Sequence, residues 1–331
     1  MPLCPVCRNT EFSVLVDAGR VDEECRQRER FIKQRLTHQP SANELKDLTD
    51  FFHQASANIL ACTGCALLIR NEIEPAKINA YSEDEYDPGV MDHLYPRYLE
   101  AFRAKALTYR HLLQPGATVL EIGSHYGAFL QTAQEWGWNA VGIDVGNDTS
   151  QFARSKGFAV KNCELLDCGF DGESFDGIFI WNCFDQIADP KPLIAECRRL
   201  LRPSGTLLLR TPNGLFYTMC QDLLEDGGGS KESKEFLLEA MAYNNLLGFP
   251  YLYGYSQATL QRLVEPAGFR CGGMVNSEIL TLPLPENPAW VEQEERAINE
   301  ETRMMAHSVL AARSDVLAGP WIEVWFRVEA V

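Results

Sequence analysis

Residues 119–130, reading VLEIGSHYGAFL, constrain this 331-residue chain more than any other stretch. Val119, Leu120 and Ile122 form an apolar run with the character of a buried strand, and Gly123 and Gly127 make a turn. Phe129 and Leu130 open a helix that Trp136 and Gly137 close. Glycines suit such a bend because a ligand must lie against bare backbone there, and the helix that follows offers unpaired N–H groups to an acceptor. The stretch describes a nucleotide-type pocket.

The spacing narrows the choice of nucleotide. A dinucleotide site carries G-x-G-x-x-G, with its second glycine placed for a pyrophosphate. Here the spacing is G-x-x-x-G with Glu121 just before the first glycine, and a carboxylate there repels pyrophosphate but suits an ammonium. After a second strand, residues 139–145, Asp144 ends VGID, where α/β folds of this kind place a carboxylate on ribose hydroxyls. A glycine turn, an acid for an amine and an acid for a ribose together describe S-adenosylmethionine.

With FDGIFIWNCFDQIADP and LIAECRRLLRPSGTLLLRTPN standing where a fourth and a fifth strand belong, residues 112–213 resemble the class I S-adenosylmethionine-dependent methyltransferases. The resemblance implies an α/β fold with a Rossmann-like seven-stranded sheet whose last strand, residues 321–328, runs antiparallel. It assigns the methionine end of the cofactor to Glu121 and to the turn of Gly123, Ser124 and Gly127, and the ribose to Asp144 with Val145 beside it. The adenine falls to Cys163, Glu164 and Leu165 of NCELLD, with Cys163 as a ring-packing thiol and no partner in view to activate it. Asn182 and Cys183, at the end of the fourth strand (175–182), are expected to face the methyl-transfer zone. Many relatives have Leu-Glu-His just beyond; here Phe184-Asp185-Gln186 puts a glutamine where a base would stand. The candidate catalytic residues are His125 and Tyr253, with Tyr126, Asp185 and Tyr255 as further options.

The N-terminal region carries Cys4-Pro5-Val6-Cys7 and, much later, Cys62-Thr63-Gly64-Cys65. Two C-x-x-C pairs make two turns that each present two thiolates to one tetrahedral Zn2+, the arrangement of a zinc ribbon; the bland reading is four unconnected reduced cysteines. Strand-like runs at 12–16, 59–62 and 67–70 adjoin the pairs. Residues 21–36 and 41–57 are charged and helix-prone, broken at Gln39-Pro40, and are expected to form a helical hairpin inserted in the ribbon loop, where an insertion costs little entropy. A subset of class I methyltransferases carries such a ribbon followed by an acidic, tyrosine-containing linker, here AYSEDEYDP. Some relatives of that kind methylate carbon atoms of nucleotide-linked sugars and have a further C-terminal domain, which a chain of this length is not expected to hold.

The expected organisation is therefore a ribbon over residues 1–80 and a methyltransferase domain over 81–331, interrupted by insertions at about 214–255 and 285–318. The first insertion carries Tyr243, Tyr251, Tyr253 and Tyr255, which either close the pocket as a lid behind a flexible joint at 226–230 or pack into a core of their own. The second contains a long helix, 289–312, whose apolar stripe is core or a dimer seam. A helix over 98–113 covers the pocket, so that Tyr95, Tyr98 and Arg103 either reach the methionine carboxylate or are ordinary amphipathic-helix residues. The remaining expected elements are helices at 148–157, 192–201, 234–244 and 256–265, and strands at 158–162, 206–211 and 268–282, with a turn at 202–205.

Charge and cysteine usage bound the partners. Thirty lysines and arginines against 46 acids give a net charge of −16, which speaks against a phosphate backbone as main partner. No run approaches the length of a membrane span and no leader precedes MPLCPVC, so a cytoplasmic protein is expected. Eleven cysteines, an odd number, fit reduced thiols plus a metal site better than a disulfide framework. The leading expectation is methyl transfer to a small-molecule acceptor. Its alternatives are an RNA methyltransferase gripping through the ribbon and a non-catalytic S-adenosylmethionine-binding partner subunit. The acceptor atom, the oligomeric state and the pathway are not written in the sequence.

Overall fold

The computed structural model describes residues 3–35, 57–70, 88–225, 230–248, 251–277, 293–294, 296–302, 304 and 319–329. The expected boundary near residue 80, nearly all of the hairpin's second arm, the joint at 226–229 and most of the long helix at 289–312 lie outside the described residues. In chain order the described strands are β1 (Phe12–Val16), β2 (Ile59–Cys62), β3 (Leu68–Arg70), β4 (Thr118–Ile122), β5 (Asn139–Asp144), β6 (Ala159–Asn162), β7 (Phe175–Ile180), β8 (Leu201–Pro212), β9 (Tyr253–Gly254), β10 (Phe269–Ser277) and β11 (Trp321–Val328). Packing divides the chain into two units. One gathers Met1–Ile78, Thr211–Thr259 and Val275–Ile322, the other Asn79–Arg210, Leu260–Met274 and Glu323–Val331.

The first unit contains a four-stranded sheet in the order β1-β2-β3-β9. The hairpin's first arm is present as the helix Ala18–Arg35. Its Glu24 is buried and accepts from the Tyr217 hydroxyl at 2.9 Å, the Gln221 amide at 2.6 Å and the Gly248 N–H at 2.8 Å, so the helix is fastened by polar bonds to the helix Gly214–Glu225. Three donors offset the desolvation that pushes the Glu24 carboxyl above its usual range. Tyr251 joins this unit's hydrophobic core with Leu68, Phe216 and Trp321, and Tyr243 packs with Ala240 and Ile298.

The second unit carries the large sheet, in the order β10-β11-β8-β7-β4-β5-β6. Parallel pairings join β8, β7, β4, β5 and β6, and the end strands are antiparallel. This is the expected seven-stranded arrangement. Its central strands read as almost unbroken apolar runs because helices cover both faces of a parallel sheet. The chain steps from β4 to β5 to β6 on one flank and returns as β7 on the other flank of β4. Such a reversal opens a crevice beyond the carboxyl ends of the two central strands, where open α/β sheets keep their ligands.

Two elements differ from expectation. The fifth parallel strand runs through the supposed turn, since β8 starts at Leu201; three extra residues are taken up as a bulge, with Phe175 opposite Leu201 but Gly177 already opposite Thr206, and Ser204 at φ 62°. The helix expected over 98–113 begins earlier and breaks sooner, as Pro88–Ala104, a short Ala106–Tyr109 and a 3-10 turn Arg110–Leu112. Arg103 is held on its surface by Glu135, Nε to Oε2 at 2.8 Å.

Phe129 sits at the centre of an aromatic core, 5.6 Å from Phe102, 4.9 Å from Phe179 and 5.2 Å from Trp181 between ring centroids. Beside it lies a charged network. Buried Glu323 of β11 accepts from Lys105 and from the Tyr109 hydroxyl, and pairs with Arg210 Nε of β8 at 3.3 Å. Among the described residues no helix is long and apolar enough to cross a membrane.

Candidate active site

The glycine turn is sewn to the end of β5. The N–H groups of Gly123 and Ser124 both donate to the Ile143 carbonyl, at 2.9 and 3.0 Å. Gly123, His125 and Gly127 all take left-handed backbone, at φ 73°, 46° and 78°. A Cβ on Gly123 would stand 2.8 Å from Cys183 Sγ, and one on Gly127 2.7 Å from the Phe158 ring, so neither position tolerates a side chain. His125 adopts the left-handed turn without being glycine, a strain of about 1 kcal/mol or more. Its N–H donates to Asp144 Oδ2 at 2.7 Å, which offsets that strain.

Asp144 is the hub of the loop after β5. Besides His125, it accepts at Oδ1 from the Gly146 N–H and the Thr149 hydroxyl, each at 2.9 Å. The Asn162 side chain, at the end of β6, donates to the carbonyls of Asp144 and Val145 at 2.9 Å and of Gly146 at 3.1 Å. Val145 is left 44% exposed, an apolar side chain facing outward beside the turn.

Glu121 is buried, and its Oε2 meets no hydrogen-bond partner among the described residues. Burial, and after it the negative charge of Asp144, hold its carboxyl well above the usual range. A buried acceptor left without a partner is expensive, and a ligand's donor is one group that would complete it. The Ser124 hydroxyl is buried and orphaned in the same way.

Across the crevice, β7 runs into Asn182, Cys183 and a 3-10 turn, Phe184–Gln186. Asn182 is exposed; its side-chain oxygen accepts from Arg210 and its carbonyl accepts from the Gln186 amide at 3.0 Å. Cys183 Sγ rests on the Ile122 carbonyl at 3.6 Å. Burial pushes its thiol up, and Asp185, Asp144 and Glu121 push it further, so it is no nucleophile. Asp185 is fully buried with neither carboxylate oxygen partnered among the described residues. Desolvation pushes its carboxyl up to about 8, against the opposing pull of its own main-chain N–H and of Arg210.

The two catalytic candidates are not brought into one unit. His125 is half-buried in the second, its ring stacked on Tyr126 at 3.7 Å with Tyr98 edge-on at 5.7 Å. Burial lowers its pKa, with Asp144 opposing, so the imidazole is neutral near pH 7 and able to accept a proton. Tyr253 belongs to the first unit, where it pairs with Ile69 across β9 and β3 and is 9% exposed.

The expectation of uniformly reduced thiols needs one correction. Cys163 is bonded to Cys168 rather than free, because the 3-10 turn Leu165–Asp167 folds the chain back and brings the two Cα atoms to 5.8 Å. Leu165 is buried and the Glu164 carbonyl accepts from the Asp167 N–H at 3.0 Å. Sequence reasoning also missed Arg210 and Glu323. The signal was present: each is a lone charge inside an apolar strand, TLLLRTP and WIEVW, and such a charge must find buried partners.

In the first unit the four expected ligands converge. Cys4, Cys7, Cys62 and Cys65 place their sulfurs within 4.8 Å of one another, the close pairs being Cys4 with Cys65 at 3.6 Å and Cys7 with Cys62 at 3.5 Å. The two knuckles share one backbone pattern. The Cys4 N–H donates to the Asn9 carbonyl and the Arg8 N–H to the Cys4 carbonyl; the Cys62 N–H donates to the Leu67 carbonyl and the Ala66 N–H to the Cys62 carbonyl. Arg8 and Ala66 then turn left-handed, at φ 62° and 60°. Sulfurs at the corners of a tetrahedral zinc site stand about 3.8 Å apart for Zn–S bonds near 2.3 Å, so the cluster fits that ion. Asn9 supports it from behind, donating to Cys62 Sγ at 3.8 Å and to the Thr63 hydroxyl at 2.8 Å.

A parallel sheet reversing at β4 and β7, with a glycine turn and two acids at its carboxyl edge, defines an open α/β protein with its switch-point crevice at that edge. Residues 91–271 match the family model described as "Methyltransferase domain", and the chain belongs to that family. Over 106 residues it is 30% identical to the ubiquinone biosynthesis O-methyltransferase of Xanthomonas oryzae pv. oryzae, a match covering 30% of this chain and 44% of the relative. The enzyme of the same name from Methylococcus capsulatus is 27% identical over 111 residues, covering 31% and 46%. The chain thus spans less than half the length of these curated relatives. Among solved structures, a chain from the complex of the Haloferax volcanii Trm112 methyltransferase activator with a methyltransferase is 17% identical, covering 76% of this chain and 97% of that one, at a TM-score of 0.48. A SAM-dependent methyltransferase from Archaeoglobus fulgidus is 18% identical, covering 69% and 94%, at a TM-score of 0.44.

Proposed function

We propose that this chain is an S-adenosylmethionine-dependent methyltransferase acting on a small-molecule acceptor. The observation that carries the reading is Glu121, a buried acid with an orphaned oxygen at the edge of a switch-point glycine turn. The cofactor's ammonium is the donor this oxygen lacks. Asp144 would take the ribose hydroxyls, the bare backbone of Gly123, Ser124 and Gly127 the methionine end, and Val145 with the loop of Cys163, Glu164 and Leu165 the adenine. Asn182 stands at the acceptor end of the crevice, and His125, the neutral imidazole of the turn, is within the same unit. When bound, the cofactor supplies a methyl group already activated by its sulfonium. The protein's own part is therefore to align the acceptor and exclude water.

The four cysteines would hold one Zn2+ with no position left open, which makes the ion structural. A net charge of −16 supports a small molecule over RNA as acceptor. The names of the Xanthomonas and Methylococcus relatives make hydroxyl acceptors the first to try. Incubation with S-adenosylmethionine and a panel of phenols, catechols and amines, followed by S-adenosylhomocysteine release, is expected to show turnover with at least one protic acceptor. Tight cofactor binding with no release on any acceptor, restored by an added subunit, would instead support a partner-subunit role.

A further inference from the structure

We propose that Asp185 is the acceptor-side catalytic residue of this site: its carboxylate holds the acceptor's O–H or N–H and takes that proton during methyl transfer. The inference rests on the methyltransferase reading and adds the residue that reading leaves open.

β4 and β7 are neighbouring parallel strands whose last paired residues are Ile122 and Ile180. Gly123 follows one and the segment from Asn182 to Asp185 closely follows the other, so both flank the switch crevice. The two sides touch, since Cys183 Sγ occupies the space a Gly123 Cβ would need, at 2.8 Å. Asp185 is two residues further along, in the 3-10 turn Phe184–Gln186, close enough to Cys183 to raise its thiol.

Four polar side chains follow β7 directly. Asn182 accepts from Arg210, Gln186 donates to the Asn182 carbonyl, and Cys183 is held on the Ile122 carbonyl. Asp185 alone among them is tied to no other residue: both oxygens are buried and unpartnered among the described residues, and only its own main-chain N–H and the charge of Arg210 favour its ionised form. The guanidinium of Arg210 attracts it electrostatically, yet is bonded to Asn182 and paired with Glu323. A carboxyl sealed from water with two empty acceptor positions is costly to keep unless a ligand donor completes it. Such groups cluster where chemistry needs them.

The step balances without another reactant. The acceptor's lone pair forms the new bond to the methyl carbon as the methyl–sulfur bond breaks, with its electron pair left on sulfur. The acceptor's proton passes to an Asp185 oxygen and is later released to solvent. Burial pushes the Asp185 carboxyl up to about 8, so its ionised form is a stronger base than an ordinary carboxylate.

The charged and titratable groups facing Asp185 are Arg210 of β8 and Cys183 of its own segment, and Cys183 in turn feels Glu121 and Asp144. Ligand binding reads Asp185 separately from them. S-adenosylhomocysteine is neutral at sulfur, whereas sinefungin carries an ammonium-bearing carbon where the methylsulfonium stands. Both present the same amino-acid ammonium to Glu121, so Glu121 cancels in the ratio of their affinities. Calorimetry on the full chain at pH 8.5 is expected to show sinefungin binding at least tenfold tighter than S-adenosylhomocysteine. In Asp185→Asn that preference should fall at least fivefold while S-adenosylhomocysteine affinity stays within threefold of wild type. An Asn variant that keeps the wild-type preference would overturn the role of Asp185 and leave the cofactor site standing. Failure of the wild-type chain to bind any of these ligands would overturn the cofactor reading and this inference with it. Should the variant not fold, the wild-type preference measured from pH 6.5 to 8.5 decides: it must rise as Asp185 ionises, and a flat profile overturns the proposal.

Discussion

Asp144→Ala is expected to weaken S-adenosylmethionine binding by at least tenfold. Two effects add. The carboxylate that would receive the ribose hydroxyls is gone, and a hydrogen bond to a charged group contributes roughly 1.5–3 kcal/mol, where 1.4 kcal/mol is already tenfold. The mutation also removes the acceptor for the N–H groups of His125 and Gly146 and for the Thr149 hydroxyl. The His125 turn is left-handed at a non-glycine residue, so losing its 2.7 Å bond to Asp144 loosens the segment that shapes the methionine end. Titration calorimetry on wild type and variant checks this. Unchanged affinity would leave Asp144 as a scaffold residue and remove it from the site.

Cys4→Ser and Cys62→Ser are each expected to lower a metal content of about one zinc per chain and to destabilise the first unit severely. Structural zinc contributes apparent folding free energies on the order of 10 kcal/mol in small domains, far beyond the reach of the short strands β1, β2 and β3 alone. Each cysteine belongs to a different knuckle, and each knuckle is ordered by the same pair of backbone bonds around its first cysteine. Metal analysis with thermal unfolding tests the expectation, with Cys271→Ser of the other unit as a control that keeps its zinc. A purified chain that is fully folded and free of metal would dismiss the ribbon ion.

What the sequence made legible follows from what it encodes locally. The glycine turn could be read because left-handed backbone and close approach by Cys183 and Phe158 both demand glycine, and glycine is visible in a sequence. The cysteine cluster was readable because two C-x-x-C knuckles fix their own geometry, leaving only their meeting to the fold. The strands themselves could be read as apolar runs separated by helical stretches, while their seven-stranded arrangement came from the resemblance. Less legible were contacts made at long range. Glu323 finds Lys105 and Arg210 across more than a hundred residues, and nothing local says which charges will meet. The bulge that lets β8 absorb residues 202–205 resembles a turn in sequence, since Pro203, Ser204 and Gly205 serve either. Cys163 was misread as free because its partner, Cys168, lies across a 3-10 turn that no periodicity announces. Tyr253, named as one of the tyrosines of the first insertion, sits in a two-residue strand against β3, a placement no periodicity announces because pairing partners decide where so short a segment goes.

If the crevice beside β4 takes S-adenosylmethionine, calorimetric titration of the purified full chain with S-adenosylmethionine, and in parallel with S-adenosylhomocysteine, will show saturable binding of both at one site per chain, weakened by Asp144→Ala. Folded protein that binds neither ligand would rule that reading out.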